Sequence, residues 1–362
     1  MPSTRRVLLL GSSATVLAST TIGRILPATA QADLKGKSLV VATYGGSWRD
    51  AVAKSIANPL VEAGVHVDYV LGNPDDNLAK LISAKRQGQI PFDTVEGSPL
   101  TYPDAYKASL FEKIDYAAIP ETKNIPDWAR EEGQVTTNWS PDGIVYNESK
   151  FSEAGVAKPQ DYLDLRNPKL KGHVAFPAPD NVFHWAAVVG LAYRGGGDEE
   201  NLIPAIRYIK EIAPVYFFTA SVELSTRFGS GDIWAAPWSA GWAVRMKRAG
   251  LPISVAYASF GKKVGALFPD PVSIVKGTPN REAAMAFLRS WLSIDGLSQF
   301  CAATGVLPVS TAARAKFVEL DPFSRSMVPW TDEDIENCYR LNWPKLDGKK
   351  WRETWNREMQ TR

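Results

Sequence analysis

Between residues 38 and 98, short apolar runs alternate with helical stretches, and this alternation limits the fold more than any other feature of the chain. Residues 38–43, SLVVAT, form a continuous apolar run of the kind buried on both faces of a sheet. Tyr44, Gly45 and Gly46 follow, and Ser47 offers a cap for the helical stretch WRDAVAKSIANPLVEAG. VHVDYVLG alternates apolar and polar residues as a second strand. Pro74-Asp75-Asp76 then opens a helix with Leu78, Leu81 and Ile82 on one stripe. PFDTVEGS is a third strand. Strand, helix, strand, helix, strand with short links predicts an α/β fold with a parallel sheet.

The second half repeats the alternation less regularly. HVAFPAP and PVYFFT read as strands, and between them lie the helices VFHWAAVVGLAYR, stopped by Gly195-Gly196-Gly197, and NLIPAIRYIKEIA. DIWAAPW and ISVAYA are strands flanking the basic helix AGWAVRMKRAG. Some 330 residues exceed what one core usually supports, so two lobes are expected. TTNWSPDGIVYN (136–147) and VGALFPDPVSIV (264–275) read as strands that cross between them, making each lobe discontinuous in sequence. Near the C-terminus, DEDIENCYRLNWPKLDGKKWRETWNREM reads as helices with Trp343, Leu346, Trp351 and Trp355 turned inward. No internal repeat or low-complexity linker interrupts the chain.

The first thirty residues read as an address and not as fold. Arg5 and Arg6 precede the apolar run VLLLGSSATVLASTTIG, and the segment closes on Ala28 and Ala30. A basic start, an apolar middle and an A-x-A end describe a secretory signal peptide. The paired arginines and the Ser- and Thr-rich middle fit the twin-arginine route, with an ordinary Sec signal as the alternative. Cleavage is expected after Ala30 or Ala32. No Cys lies near either position, so a soluble periplasmic product without a lipid anchor is expected. Residues 1–30 hold three arginines and no acid; without them the 41 basic residues become 38 against 39 acidic ones, a net charge of −1. A near-neutral chain gives no electrostatic case for nucleic acid.

A longer stretch carries the strongest likeness to a known family. From Gly229 to Pro308 a Gly-Asp turn leads into a strand ending on Trp238; then come a basic helix, a second strand, a Pro-broken hairpin, the helix NREAAMAFLRSWLSI and the turn GVLP. Together with ATYGGSW, FDTVEGS, GIVYN and DLRNPKLKGHVAFP, in that order, this resembles the family 1 extracellular solute-binding proteins of ABC importers, and most closely their spermidine/putrescine-type branch. The resemblance implies a two-lobed periplasmic-binding-protein fold of type II, each lobe a mainly parallel sheet flanked by helices. Residues 33–137 plus 268–310 would form one lobe and 138–267 plus 311–362 the other. It also implies a monomeric receptor with a small-molecule ligand and a membrane ABC permease as partners. It implies no cofactor, no metal and no catalysis.

Ligands of open α/β sheets sit at the carboxyl ends of strands, and the loops there nominate the site. Tyr44 and Trp48 flank the glycine pair. Ser98 ends the third strand, with Tyr102 beyond it. Asp180 and Trp185 bound the start of a second-lobe helix. Trp238 and Ser239 end a second-lobe strand, with Trp242 one helical turn on. Asp180 is equally readable as a helix cap, and each aromatic as core. The branch that the chain resembles holds polyamines with several carboxylates, because each desolvated ammonium needs a counter-charge or a ring face. Acids expected after Trp238 and in the helix after Asp180 are replaced by Ser239-Ala240 and Phe183-His184, leaving Glu96 and Asp180. A polyamine or related organic cation is therefore one expectation. An amino acid or an organic acid bound by backbone N–H groups at Gly45-Gly46 is the alternative.

Other chemistries lack their residues. His66, His173 and His184 have no second ligand at metal-binding spacing, and no nucleophile elbow or phosphate loop occurs. An exported enzyme is the competing class. Cys301 and Cys338 are the only cysteines. Export permits a disulfide worth roughly 3–4 kcal/mol, but the resemblance places them in different lobes, where a bridge would hinder closure. Free buried thiols are expected.

Overall fold

The computed structural model describes residues 34–360; the expected signal peptide and its cleavage positions lie outside the described residues. The first part of the chain forms β1 (Ser38–Thr43), α1 (47–62), β2 (His66–Leu71), α2 (Pro74–Arg86) and β3 (Thr94–Glu96). The long β4 (Val135–Asn147) follows. Next come β5 (Ala175–Pro177), α3 (His184–Arg194), α4 (Ile203–Ile212), β6 (Tyr216–Phe218), α5 (Ser221–Ser230), β7 (Ala235–Ser239), α6 (Ala240–Arg248) and β8 (Ile253–Ala256). A short hairpin, β9 (Ser259–Phe260) and β10 (Lys263–Val264), leads into β11 (Ala266–Ile274). The chain closes with α7 (Arg281–Leu292), α8 (Ile294–Thr304), β12 (Leu307–Pro308), α9 (Thr311–Leu320) and α10 (Gly348–Gln360).

The expected α/β alternation is present, and its strands pair as such links require. β1 pairs parallel with β2 and with β3, and β5 parallel with β6. The main sheet runs β12-β4-β11-β3-β1-β2, and β7 and β8 pair with the far half of β4. Every antiparallel pairing in that sheet involves β4 or β11. These are the segments expected to cross between lobes. All thirteen residues of β4 are buried, so the strand works as an internal spine. A Cβ on Gly143 would meet the Ala256 carbonyl at 2.6 Å, which is why the spine carries glycine where β8 lies alongside.

Helix α1 is capped otherwise than expected. Gly46, at φ 64°, precedes Ser47, which is the first helical residue and makes no cap. Only glycine enters that left-handed region without strain. A π-turn at Val52–Ala57 interrupts the helix where it packs on α8, and Ser290 Oγ on α7 donates to the Ile56 carbonyl at 2.6 Å. Helix α9 packs on α8 and β12. Cys301 and Cys338 are both buried free thiols. No helix among the described residues is long and apolar enough to cross a membrane.

The C-terminal helix is anchored by a buried histidine. Trp351 Nε1 donates to His184 Nε2 at 2.7 Å, so the ring's proton sits on Nδ1, which donates to the Pro177 carbonyl at 2.7 Å. Burial lowers the His184 pKa from 6.5 to about 3, leaving the ring neutral. Stability that depends on the neutral ring is present above pH 6.5 and lost as pH falls toward 3. The variant His184→Phe leaves one donor and one acceptor buried and unpaired, and is expected to cost about 2–4 kcal/mol. Urea unfolding checks this; an unchanged midpoint would show that the contact anchors nothing.

Candidate functional site

The loops at the carboxyl ends of β1, β2, β5, β6 and β7 converge on one cavity of about 220 Å³. Lining it are Tyr44 to Trp48 after β1, Asn73 after β2, Asp180 to Phe183 after β5 and Thr219 to Val222 after β6. Ser239, Trp242 and Arg245 enter from β7 and α6. Ser140 and Asp270 form its floor from the buried strands β4 and β11. Position at strand ends is dictated by sheet geometry, and β4 and β11 each add one residue from within a strand.

Five of the eight expected positions meet here: Tyr44, Trp48, Asp180, Ser239 and Trp242. Tyr44 and Trp48 pack edge to face with centroids 5.5 Å apart, and Trp48 packs on Phe300 in the same way. Ser239 caps α6, its Oγ accepting from Gly241 N at 3.2 Å. Asp180 is exposed and caps nothing; it pairs with Arg352 of α10 at 3.2 Å. Asn181 holds that loop instead, with Oδ1 accepting from Phe183 N at 3.0 Å and Nδ2 donating to the Thr219 carbonyl at 2.9 Å.

Three expected positions do not reach the wall. Trp238 is 1 % exposed; successive residues of a strand point to opposite faces, so Ser239 faces the cavity and Trp238 the core. Its Nε1 donates to Ser221 Oγ at 3.1 Å, and its ring stacks on Phe228 and, at 5.0 Å, on Trp242. Trp238 therefore backs the aromatic that lines the cavity. Trp185 is buried in the second hydrophobic core beside His184. Ser98 is buried and turns the chain after β3, its Oγ accepting from Leu100 N. Glu96, counted among the acids near the cleft, lies beneath it. Its carboxyl accepts from Thr43 Oγ1 at 2.5 Å and from Trp48 Nε1 at 2.8 Å, and so fixes the Trp48 ring.

Asp270 and Arg245 were not expected here, and they add an acid and a base to a wall that already holds Asp180. A register shift between Asp270 and Pro271 re-aims β11. The Asp270 Oδ2 accepts from Asn138 Nδ2 at 2.7 Å and Ser140 Oγ at 2.9 Å. Burial raises its pKa to about 8, against the opposing Ser140 bond. Burial raises Glu96 to about 8 as well, opposed by Thr43 and reinforced by the charge of Asp270. Asp142 on β4 is pushed well up by burial and then by Asp270, and its Oδ1 has no partner. Tyr44 is pushed up by burial and then by Asp270, Glu96 and Asp75. Asp270 had a readable signal, an acid between two prolines in an apolar run. The trace of Arg245 was weaker, being one helical turn beyond Trp242.

Raised carboxyl pKa values fix the sign of a pH effect. The folded chain keeps protons that the unfolded chain has lost, so stability falls as pH rises toward 8. From pH 6.5 to 8 the opposing His184 contribution fades, and the carboxyls, at about 1 kcal/mol per pH unit each, outweigh it. Melting midpoints across that interval are expected to fall; a rising midpoint would contradict the assignment. Among the described residues no group of three or more His, Cys, Asp or Glu is placed to hold a metal ion.

Residues 50–324 match the family described as bacterial extracellular solute-binding protein. The fold superposes on an ABC transporter substrate-binding protein from Bradyrhizobium japonicum USDA 110 with a TM-score of 0.73 and 16% identity, over 90% of this chain and 99% of that one. PBP AgtB from A. tumefaciens R10, in complex with agropinic acid, gives 0.72 and 18% over 90% and 99%. PBP MotA from A. tumefaciens B6, in complex with glucopine, gives 0.71 and 18% over 89% and 99%. Comparison with curated proteins finds no match.

Proposed function

The chain belongs to the bacterial extracellular solute-binding proteins, and from that premise we propose that its cavity captures a small organic cation for delivery to an ABC permease. The observation that carries this reading is the Asp270 carboxyl, buried on the cavity floor beneath Tyr44, Trp48 and Trp242. An ammonium leaving water needs a counter-charge or an aromatic face, and this floor and wall supply both. Asp270 is the one buried carboxyl among the lining residues, Asp180 being exposed and paired with Arg352, and one such group suits a ligand with one cationic centre better than a triamine. Agropinic acid and glucopine in AgtB and MotA are not polyamines, so the fold alone does not select that class.

The receptor works as a monomer in the periplasm after removal of the N-terminal segment, closing two lobes around the ligand. In this reading β4 and β11 join residues 33–137 plus 268–310 to residues 138–267 plus 311–362. Titrating putrescine, choline and pentylamine against pentanoate, read by tryptophan fluorescence and melting, tests the ligand class. At least one cation is expected to raise the melting temperature and perturb fluorescence. Binding of pentanoate with none of the cations would refute it.

A further inference from the structure

Arg245 is the one basic residue lining the cavity, and no carboxylate among the described residues pairs with it. Its guanidinium stacks on the Trp242 ring at 4.3 Å, and Nη1 donates to the carbonyl of Thr304, the last residue of α8. That bond fixes its position and sets it against the negative end of a helix dipole. It uses only part of the fork. Arg245 makes no ion pair among the described residues, and its Nε is enclosed with no hydrogen-bond partner. The neighbouring Arg248 offers like charge, and is itself paired with Asp321. Asp270 lines the same cavity, and no ion pair joins it to Arg245.

An enclosed guanidinium without a counter-ion is costly unless an anion joins it. Planar forks match carboxylates in particular. We infer that the ligand is a zwitterion, with its cationic nitrogen on Asp270 and a carboxylate on Arg245. The inference rests on the cation reading of Asp270 and adds the other half of the ligand. It also assigns Trp242 a double part: its ring walls the cavity and carries the guanidinium that meets the acid group.

Matched probes separate the two halves. 5-Aminopentanoate and glycine betaine carry both charges; pentylamine and choline carry the cation alone; pentanoate carries the acid alone. Calorimetric titration and melting shifts of the wild-type chain are expected to show at least one zwitterion binding tenfold or more tighter than its cationic partner. Arg245→Met should erase that preference by weakening the zwitterion alone, and Arg245→Lys should restore part of it. Melting without ligand verifies that each variant folds. Equal binding of zwitterion and cation, or a preference that survives Arg245→Met, overturns the inference and leaves the cation reading standing. Equal binding of zwitterion and pentanoate overturns the cation reading instead. A panel in which nothing binds overturns both.

Discussion

Asp270→Asn is expected to weaken capture of a cationic ligand by about a hundredfold or more while the empty receptor stays folded. Truncating one partner of a buried, hydrogen-bonded charge pair costs about 2–5 kcal/mol. The fold should tolerate the change because the carboxyl of the empty cavity titrates at about 8 and is mostly protonated at neutral pH. An amide oxygen can still accept from Asn138 and Ser140. In the wild type, a cation that ionises Asp270 displaces its proton, so affinity should climb as pH rises toward 8 and level off above it. The variant should lose that climb together with the affinity. Calorimetry in two buffers of different ionisation heat reads the displaced proton. Unaltered affinity in Asp270→Asn, or binding without proton release, would move the counter-charge elsewhere.

Trp238→Ala is expected to cost about 3–5 kcal/mol of stability, the range for removing a large buried aromatic. The ring is sandwiched between Phe228 and Trp242, and its N–H ties β7 to Ser221 of α5. Its loss empties the space behind the cavity wall, so any drop in ligand affinity should come from a loosened Trp242. Trp242→Ala, in contrast, should damage binding more than folding. Denaturant unfolding and ligand titration on both variants distinguish the two positions. If Trp238→Ala abolished binding at unchanged stability, the ring would belong to the cavity after all.

That contrast shows where the sequence is readable and where it is not. The runs SLVVAT, HVDYVL and TVE form the strands expected of them, and the two segments expected to cross between lobes form strands within two residues of their expected bounds. Loops at strand ends were enough to nominate Tyr44, Trp48, Ser239 and Trp242. Which of two adjacent residues faces the cleft was not readable at Trp238-Ser239, because the pleat alternates and both faces of β7 are buried. Asp270 escaped for a different reason. It lies in the middle of a strand, where only the register shift at Pro271 and the partner strand β4, more than a hundred residues earlier, define its surroundings. Arg245 was hidden beside two other basic residues of the same stretch, Lys247 and Arg248, and only packing against the end of α8 singles it out.

The two long strands also determine when this chain can finish folding. Until β11 is made, the three-stranded set β2-β1-β3 has a bare edge at β3 and no link to β4. The closing contacts are remote: Thr278 donates to Asp93 across 185 residues of chain. Half a molecule is thus an exposed sheet template rather than a stable lobe, and such edges invite pairing with other chains. Long-range closure of this kind is slow. Chain that ends before residue 266 therefore needs protection from its own copies, and strand β11, pairing with both β3 and β4, acts as the clasp that ends this exposed interval.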